Sequence, residues 1–254
     1  MQKIRNFLKL ILGLVYFPFL VPIAKKKILD SKDKILDENS IYSWTQDFKV
    51  GPNIRGFNIN FKSSQIKSEI LDLISEIKKN PPNIILEIGT ATAGTLFMFT
   101  KIASPDAEVI SIDLPFGRYG AGYLKYRIPL LHSFAGYKQK IHLLRCDSHK
   151  QETIEKLKKI LNGRKIDFLF IDGDHSYNGV KNDFENYYKL MKTEGLIAFH
   201  DIVSNINDLS FGTHDFWEEI KQKYEYKEFI RPEAKNNGCG IGLIKISSKE
   251  QKIK

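Results

Sequence analysis

Carboxylates and imidazoles concentrate at the ends of two apolar runs in the second half of this 254-residue chain. The group comprises Asp172, Asp174, His175, His200 and Asp201. Open α/β sheets bind ligands at the carboxyl ends of their strands, so these side chains are expected at a functional edge. Oxygen ligands with an imidazole suit Mg²⁺, Mn²⁺ or a related divalent cation. The alternative is that the two histidines only cap helices or pair with Asp174 and Asp201.

A second stretch combines an apolar strand, a glycine turn and a helix. The run 83–88 follows Pro81 and Pro82, stops at Gly89, and an apolar pattern typical of a helix resumes at Thr95. Such a turn directs backbone N–H groups and a positive helix end at one point, which suits a nucleotide-like cofactor. Strand, turn and helix also occur in α/β proteins that bind nothing there.

The residues of this turn favour one cofactor. Ala91 stands where the second glycine of GxGxxG would be, which disfavours a nicotinamide dinucleotide. Glu87, at the strand end, would repel a pyrophosphate but suits the amino group and sulfonium of S-adenosylmethionine.

The run 86–90 resembles motif I of the class I S-adenosylmethionine-dependent methyltransferases. Ala91 and Ala93 depart from the usual glycines of this loop, and an added methyl group is tolerable there if φ stays negative. The resemblance implies that the cofactor is bound by Glu87, Gly89, Thr90, Gly94 and Thr95.

Two further apolar runs end in acids. Asp113 lies about 20 residues past the glycine turn, where a carboxylate can bind ribose hydroxyls; a turn or helix cap is the alternative. The run 141–148 ends in Asp147 and Ser148, and in resembling families this position meets the adenine.

The run 170–177, together with Gly195 and the pair at 200–201, is similar to the cephalosporin-hydroxylase-like and macrocin-type sugar O-methyltransferases. With motif I, the resemblance covers about residues 64–246. It implies that a divalent cation is held by Asp172, His200 and Asp201, with Asp172 also beside the cofactor. It also implies that Asp174 acts as the base, with His175 as the alternative. His200 departs from the two acids that many relatives carry.

The resemblance and the apolar runs predict an α/β, Rossmann-like methyltransferase fold. Its sheet has seven mostly parallel strands, helices on both faces, and an antiparallel C-terminal pair over 224–230 and 239–246. We expect a helix from Ser63 or Ser64 to about Lys79. The predicted divisions are a turn-rich cap over 28–62, the methyltransferase domain over 63–247 and a basic tail over 248–254.

Residues 1–27 form a basic and apolar segment. The uncharged run 10–24 is shorter than the ~20 residues of a spanning helix, and Pro18 and Pro22 interrupt it. We therefore expect an in-plane or re-entrant anchor on an anionic, cytoplasmic membrane face. The alternative is a helix buried against the domain or a partner subunit.

The composition narrows the class of function. The net charge is +9, but the lysines are scattered and no arginine-rich run appears, so a nucleic-acid partner is not expected. Cys146 and Cys239 form no CxxC, which favours the cytoplasm. The predicted reaction is methylation of a hydroxyl on a sugar, glycan precursor or small metabolite; a homo-oligomer is compatible with the sequence. The alternatives are a membrane-tethered, non-catalytic protein and a metal-dependent hydroxylase or hydrolase.

Overall fold

A seven-stranded sheet forms the centre of the molecule. The computed structural model describes residues 16–35, 37–52, 57–116, 122–204, 211–232 and 238–247. The strands are β3 (Ile84–Ile88), β4 (Glu108–Ile112), β5 (Lys140–Leu144), β6 (Ile166–Ile171), β7 (Met191–His200), β8 (Glu225–Phe229) and β9 (Ile241–Lys245). A separate antiparallel pair consists of β1 (Lys49–Val50) and β2 (Ile59–Asn60). In the large sheet the strand order is β5-β4-β3-β6-β7-β9-β8.

Helices cover both faces of this sheet. They are α1 (Phe17–Ser31), α2 (Glu38–Asp47), α3 (Lys67–Ile77), α4 (Gly94–Ile102), α5 (Ile128–His132), α6 (Gln151–Leu161), α7 (Tyr177–Tyr188) and α8 (Thr213–Ile220). One apolar core lies under α1 to α5 and a second under α6 to α8. The strands β3 to β7 are parallel, whereas β9 is antiparallel to both β7 and β8. The predicted fold is confirmed.

The register of the strands brings the predicted site residues to one edge. Ile88, the last residue of β3, pairs with Ile112 of β4 and with Ile171 of β6. The residues that follow these three strands therefore emerge side by side; they are Gly89, Asp113 and Asp172. Since β7 runs parallel to β6 on its other side, its terminal His200 joins the same edge.

The cap before the sheet is more helical than its sequence suggested. Asp37 begins α2 with a capping box, in which its carboxylate accepts the N–H of Ser40 at 2.9 Å. Trp44 of α2 stacks on Phe97 of α4 at 3.9 Å between ring centroids. The helix expected from Ser63 or Ser64 to about Lys79 is shorter in the structure. It is α3, which begins at Lys67 without a side-chain cap and ends at Ile77.

The N-terminal segment is described from residue 16 onward, so 1–15 of the predicted anchor lie outside the described residues. Phe17, Ala24 and Ile28 are buried on one side of α1, and Phe17 stacks on Tyr126 at 4.4 Å. This face of α1 packs on the domain, which agrees with the alternative interpretation of a helix buried against the domain. Within the described ranges, no helix combines the length and hydropathy needed to cross a bilayer.

Candidate functional site

A cleft of about 480 Å³ opens at the carboxyl edge of the sheet. This volume is in the range of small-molecule pockets. The predicted site residues that line it are Gly89, Asp113, Asp147, Ser148, Asp172, Asp174, His175, His200 and Asp201. The others, Glu87, Thr90, Gly94 and Thr95, are buried beneath or behind the turn. The sheet edge therefore gathers residues predicted for the cofactor and residues predicted for the chemistry around one space.

Gly89 brings the glycine turn after β3 into contact with the end of β6. Its φ is +90°, and a Cβ atom built there would overlap the carbonyl group of Asp172. Only glycine allows this close approach of two backbone segments. The glycine that ends β3 therefore brings the turn directly against the carboxylate that ends β6.

The turn after Gly89 uses left-handed backbone at two alanines. Ala91 has φ +46° and Ala93 has φ +71°, so the condition of negative φ, under which an added methyl group is tolerable, is not met at either position. A non-glycine residue in this region costs about 1–2 kcal/mol. A hydrogen bond from Ala93 N–H to the Thr90 carbonyl, at 2.7 Å, closes the turn and offsets part of this strain.

Asp113 braces the same turn. Its Oδ2 accepts the N–H groups of Thr90 and Ala91 at 3.1 and 2.6 Å. These two N–H groups are thus satisfied by protein rather than directed at the open cleft. Burial raises the pKa of Asp113 to about 6, against the lowering effect of those hydrogen bonds. The carboxylate nevertheless borders the cleft, where the sequence predicted a ribose contact.

Glu87 lies under the turn rather than in the cleft. Its Oε2 accepts the hydroxyl of Thr90 at 2.7 Å, and that hydroxyl is also 2.6 Å from Ser111 Oγ. Burial raises the pKa of Glu87 to about 8, so its carboxyl group is mainly neutral at pH 7. This placement differs from the expected contact between Glu87 and a cationic cofactor end, and makes Glu87 a support of the turn.

The acidic and imidazole side chains form a connected group beside the turn. His200 Nδ1 lies 3.1 Å from Asp172 and 3.0 Å from Asp201, while His175 Nδ1 lies 2.8 Å from Asp201. Burial disfavours the charged form of His200, but the two carboxylates outweigh it and raise its pKa well above the usual value. Burial would likewise raise the pKa of Asp201, but the two imidazoles hold it at about 2.

One subset of this group has the spacing of a metal site. Asp172, His175 and Asp201 each offer one ligand atom, and the three atoms lie within 4.8 Å of one another. The sequence named His200 instead of His175 as the third ligand. Two carboxylates and one imidazole suit Mg²⁺ or Mn²⁺, so the donor set fits a divalent cation. His200 bonds both carboxylates through Nδ1, and its buried Nε2 has no hydrogen-bond partner within the described ranges.

Asp174 begins the turn into α7. Its Oδ1 accepts the N–H of Ser176 at 2.9 Å, and Ser176 in turn caps α7 by accepting the N–H of Gly179 at 3.1 Å. Asp174 therefore has a structural role as well as a place in the cleft lining.

Two contacts of the site were missed from the sequence. Gln65 donates its side-chain N–H to Asp172 Oδ2 at 2.8 Å, across 107 residues of chain. His149 lines the cleft and pairs with the fully buried Asp183 of α7 at 3.3 Å. Asp183 could have been predicted as a buried partner, because an acid stands there at a buried position of an amphipathic helix. Nothing in the sequence indicates that Gln65 belongs to the site.

The ion pair with Asp183 governs the charge of His149. The interaction of the imidazole with this carboxylate, 3.3 Å away, raises the pKa of His149 to about 9, although burial opposes it. We expect Asp183→Asn to lower this pKa toward the unperturbed imidazole value of ~6.5, since the amide keeps the shape but removes the charge. A ¹H-NMR titration of His149 measures it, with Asp147→Asn as the control because Asp147 is farther from the imidazole, at 4.0 Å. An unchanged titration midpoint in Asp183→Asn would contradict the pairing.

The same pair makes a pH-dependent contribution to stability. The pKa of His149 is about 9 in the folded protein and ~6.5 in the unfolded chain, so the protonated imidazole stabilises the fold. This stabilisation is complete below pH ~6.5 and disappears as the pH rises through about 9. The wild type should therefore lose more stability between pH 6 and 9 than Asp183→Asn, measured by urea unfolding.

Comparison with known proteins finds a family match over part of the chain. Residues 86–202 match the family described as Methyltransferase domain. The chain is 30% identical over 132 residues to Tapetum-specific methyltransferase 1 of Arabidopsis thaliana, covering 50% of this chain and 48% of that protein. It is 27% identical over 142 residues to the uncharacterized protein y4gI of Sinorhizobium fredii, covering 55% of this chain and 15% of that protein.

The fold has solved counterparts. The O-methyltransferase TomG from Streptomyces achromogenes, in complex with S-adenosylmethionine, superposes with a TM-score of 0.52 at 12% identity. The match covers 83% of this chain and 89% of that one. The family match over residues 86–202 covers somewhat less than half of the chain, and the likeness to TomG is one of fold. The matched region spans about half or less of the length of the two curated relatives.

Proposed function

We propose that this protein transfers the methyl group of S-adenosylmethionine to a hydroxyl group of a small-molecule acceptor. The observation that carries the proposal is the contact of Gly89 with the backbone of Asp172. It sets the motif I turn beside a cluster of carboxylates and imidazoles in one cleft. Methyl transfer needs this proximity, because the acceptor oxygen must approach the methyl carbon in line with the leaving sulfur.

The cofactor half of the cleft lies over β3, β4 and β5. We assign direct contacts to the lining residues Gly89, Asp113, Asp147, Ser148 and Asp172, and supporting positions to Glu87, Thr90, Gly94 and Thr95. S-adenosylmethionine, when bound, supplies an activated methyl group and a sulfur leaving group. The chain supplies the rigid turn that Asp113 and Thr90 hold in place.

The acceptor half lies over β6 and β7. Asp172 and Asp201, with His175, are the residues proposed to hold a divalent cation, and His200 orients both carboxylates from behind. A divalent cation there would supply positive charge that lowers the pKa of the acceptor hydroxyl. This assignment replaces His200 by His175 in the set inferred from sequence, on the basis of the atom spacing.

We propose that Asp174 or His175 removes the proton of the acceptor hydroxyl. Both line the cleft. His175 Nδ1 is bonded to Asp201, so a proton taken up by the ring is stabilised by that carboxylate. Where His175 is a metal ligand, Asp174 is the base. The two roles of His175 are alternatives, which the variants His175→Gln and Asp174→Asn separate.

The acceptor is proposed to be a sugar, a glycan precursor or another small metabolite. Carboxylates and imidazoles bind hydroxyl groups well, and the ring of Phe211 stacks on His175 at 4.8 Å and adds an apolar wall. The relative TomG is named as an O-methyltransferase, which supports oxygen as the methylated atom.

Calorimetric titration with S-adenosylhomocysteine, with and without Mg²⁺, tests the methyltransferase proposal. We expect micromolar binding to the full chain. An absence of binding in both conditions would favour a non-catalytic protein of this fold, or a hydroxylase or hydrolase that uses the same acidic cluster without this cofactor.

We also propose that the protein works on the cytoplasmic side, with α1 lying on an anionic membrane surface. The outer side of α1 carries Phe19 and Ile23, which are 76% and 58% exposed, one turn apart. Lys25 and Lys26 follow on the exposed part of the helix. Exposed aromatic and aliphatic residues beside lysines fit an interface helix that inserts shallowly among acidic lipids.

Replacing both Phe19 and Ile23 with Asp is expected to lower binding to phosphatidylserine-containing vesicles at least tenfold, because apolar insertion is lost and two negative charges are added beside the anionic lipids. Vesicle flotation of the full chain measures this. Tyr137→Asp, at another fully exposed aromatic residue, is the control and should bind normally. Equal vesicle binding by the double variant, or none by the wild type, would contradict the proposal.

A further inference from the structure

Residues 61–66, here named the strap, cross the motif I turn on their way from β2 to α3. The carbonyl of Phe61 and the N–H of Ser63 would lie only 2.5 and 2.7 Å from a Cβ atom at Gly94. The hydroxyl of Thr92 donates to the Lys62 carbonyl. The strap therefore rests directly on the turn and has no room to move toward it.

The strap also reaches the acceptor half of the cleft. Gln65 is buried, and its Nε2 donates to Asp172 Oδ2 at 2.8 Å. Its Oε1 accepts the hydroxyl of Ser63, which fixes the orientation of the amide. The other oxygen of Asp172 is held by His200 at 3.1 Å. Both oxygens of Asp172 are thus fixed by side chains from two different parts of the fold.

We propose that Gln65 is a positioning residue that sets the rotation of the Asp172 carboxylate for a divalent cation. The inference rests on the proposed function, because it takes Asp172 to be a ligand. A carboxylate held by one hydrogen bond can rotate, whereas the second bond restricts it to one plane. Residues that orient a metal ligand in this way usually contribute 10- to 100-fold to metal affinity. Because the strap is packed on the turn, Gln65 also ties the acidic cluster to the cofactor half.

The first test uses Mn²⁺ as the probe and the variant Gln65→Met, which keeps the length of the side chain but removes the amide. Electron paramagnetic resonance titration of the full chain should show Mn²⁺ binding weakened 10- to 100-fold. Affinity for S-adenosylhomocysteine should change by less than about threefold, because Gln65 does not line the cleft wall. The matched control is Gln46→Met, since Gln46 donates to the Ser63 carbonyl at 3.1 Å and supports the strap without touching Asp172.

The second test does not depend on a metal. In ¹⁵N-histidine-labelled protein, the His200 Nδ1 resonance reports its bond with Asp172, and His200→Gln assigns it. Gln65→Met should shift this resonance, and Gln46→Met should leave it in place. An unmoved resonance in Gln65→Met, or Mn²⁺ affinity within twofold of wild type, overturns the proposal. If the wild type binds S-adenosylhomocysteine but no Mn²⁺, the metal part of the proposed function fails, and the resonance alone decides the role of Gln65.

Discussion

Gly89→Ala is expected to lower the affinity for S-adenosylhomocysteine more than 100-fold. The added methyl group would overlap the carbonyl group of Asp172, which is backbone and cannot rotate away. The end of β3 or the start of the loop after β6 must then move, and either movement displaces a wall of the cleft. Calorimetric titration measures the affinity, and urea unfolding measures the accompanying loss of stability.

Gly163→Ala separates the steric effect from the backbone effect. Gly163 has φ +81°, close to the +90° of Gly89, but no atom lies within 4 Å of its added Cβ. In this variant the strain of a left-handed alanine occurs without any steric overlap. We therefore expect Gly163→Ala to destabilise the fold by about 1 kcal/mol and to leave the cofactor affinity unchanged. If Gly89→Ala behaves like Gly163→Ala in both measurements, the close contact with Asp172 is not what the cofactor half requires.

The fold was predictable because the parallel strands are nearly continuous apolar runs. All five residues of β3 are buried, and such a run can only occupy the centre of a sheet with both faces covered. The acids after β4 and β6 were predictable for the same reason, since parallel strands place their carboxyl ends at one edge. In contrast, α2 was missed, because its capping box and short helix lie among polar residues.

Side-chain direction within the site was not predictable from the sequence. Glu87 precedes the strand end by one residue, and the alternation of β3 places it beneath the turn. The choice between His175 and His200 as the third ligand likewise depends on the rotamers of two adjacent imidazoles around Asp201. The spacing of residues in the chain is the same for both arrangements.

Contacts between distant segments form the remaining part of the site. Gln65 and Asp172 meet only because the cap folds over the glycine turn, and His149 meets Asp183 only because the loop after β5 contacts α7. No local pattern links the two residues of either pair, although the position of Asp183 on the buried side of α7 is a sign for that residue alone. The sequence therefore defined the sheet edge, but the partners that orient its acids required the packed structure.

Asp172→Asn should remove Mn²⁺ binding and reduce methyl transfer at least 100-fold, while affinity for S-adenosylhomocysteine falls less than about tenfold, because the amide keeps a polar group at the proposed cofactor contact. Asparagine keeps the shape of the side chain but removes the negative charge that a divalent cation needs. Its NH₂ group also faces one of the two groups, Gln65 Nε2 or His200 Nδ1, that contact the two oxygens of the carboxylate, so one of these contacts is lost. Mn²⁺ titration and calorimetry separate the two losses.

Asp174→Asn is the comparison for that variant, because Asp174 lines the same cleft but lies outside the set with metal-ligand spacing. It should bind Mn²⁺ and S-adenosylhomocysteine as the wild type does, and lose methyl transfer only if Asp174 is the base. Full activity in Asp172→Asn would refute the metal role of this carboxylate, and loss of Mn²⁺ binding in both variants would show that the cation is held further along the acidic cluster. The two variants together therefore distinguish the ligand from the base, which are separated by a single glycine in the chain.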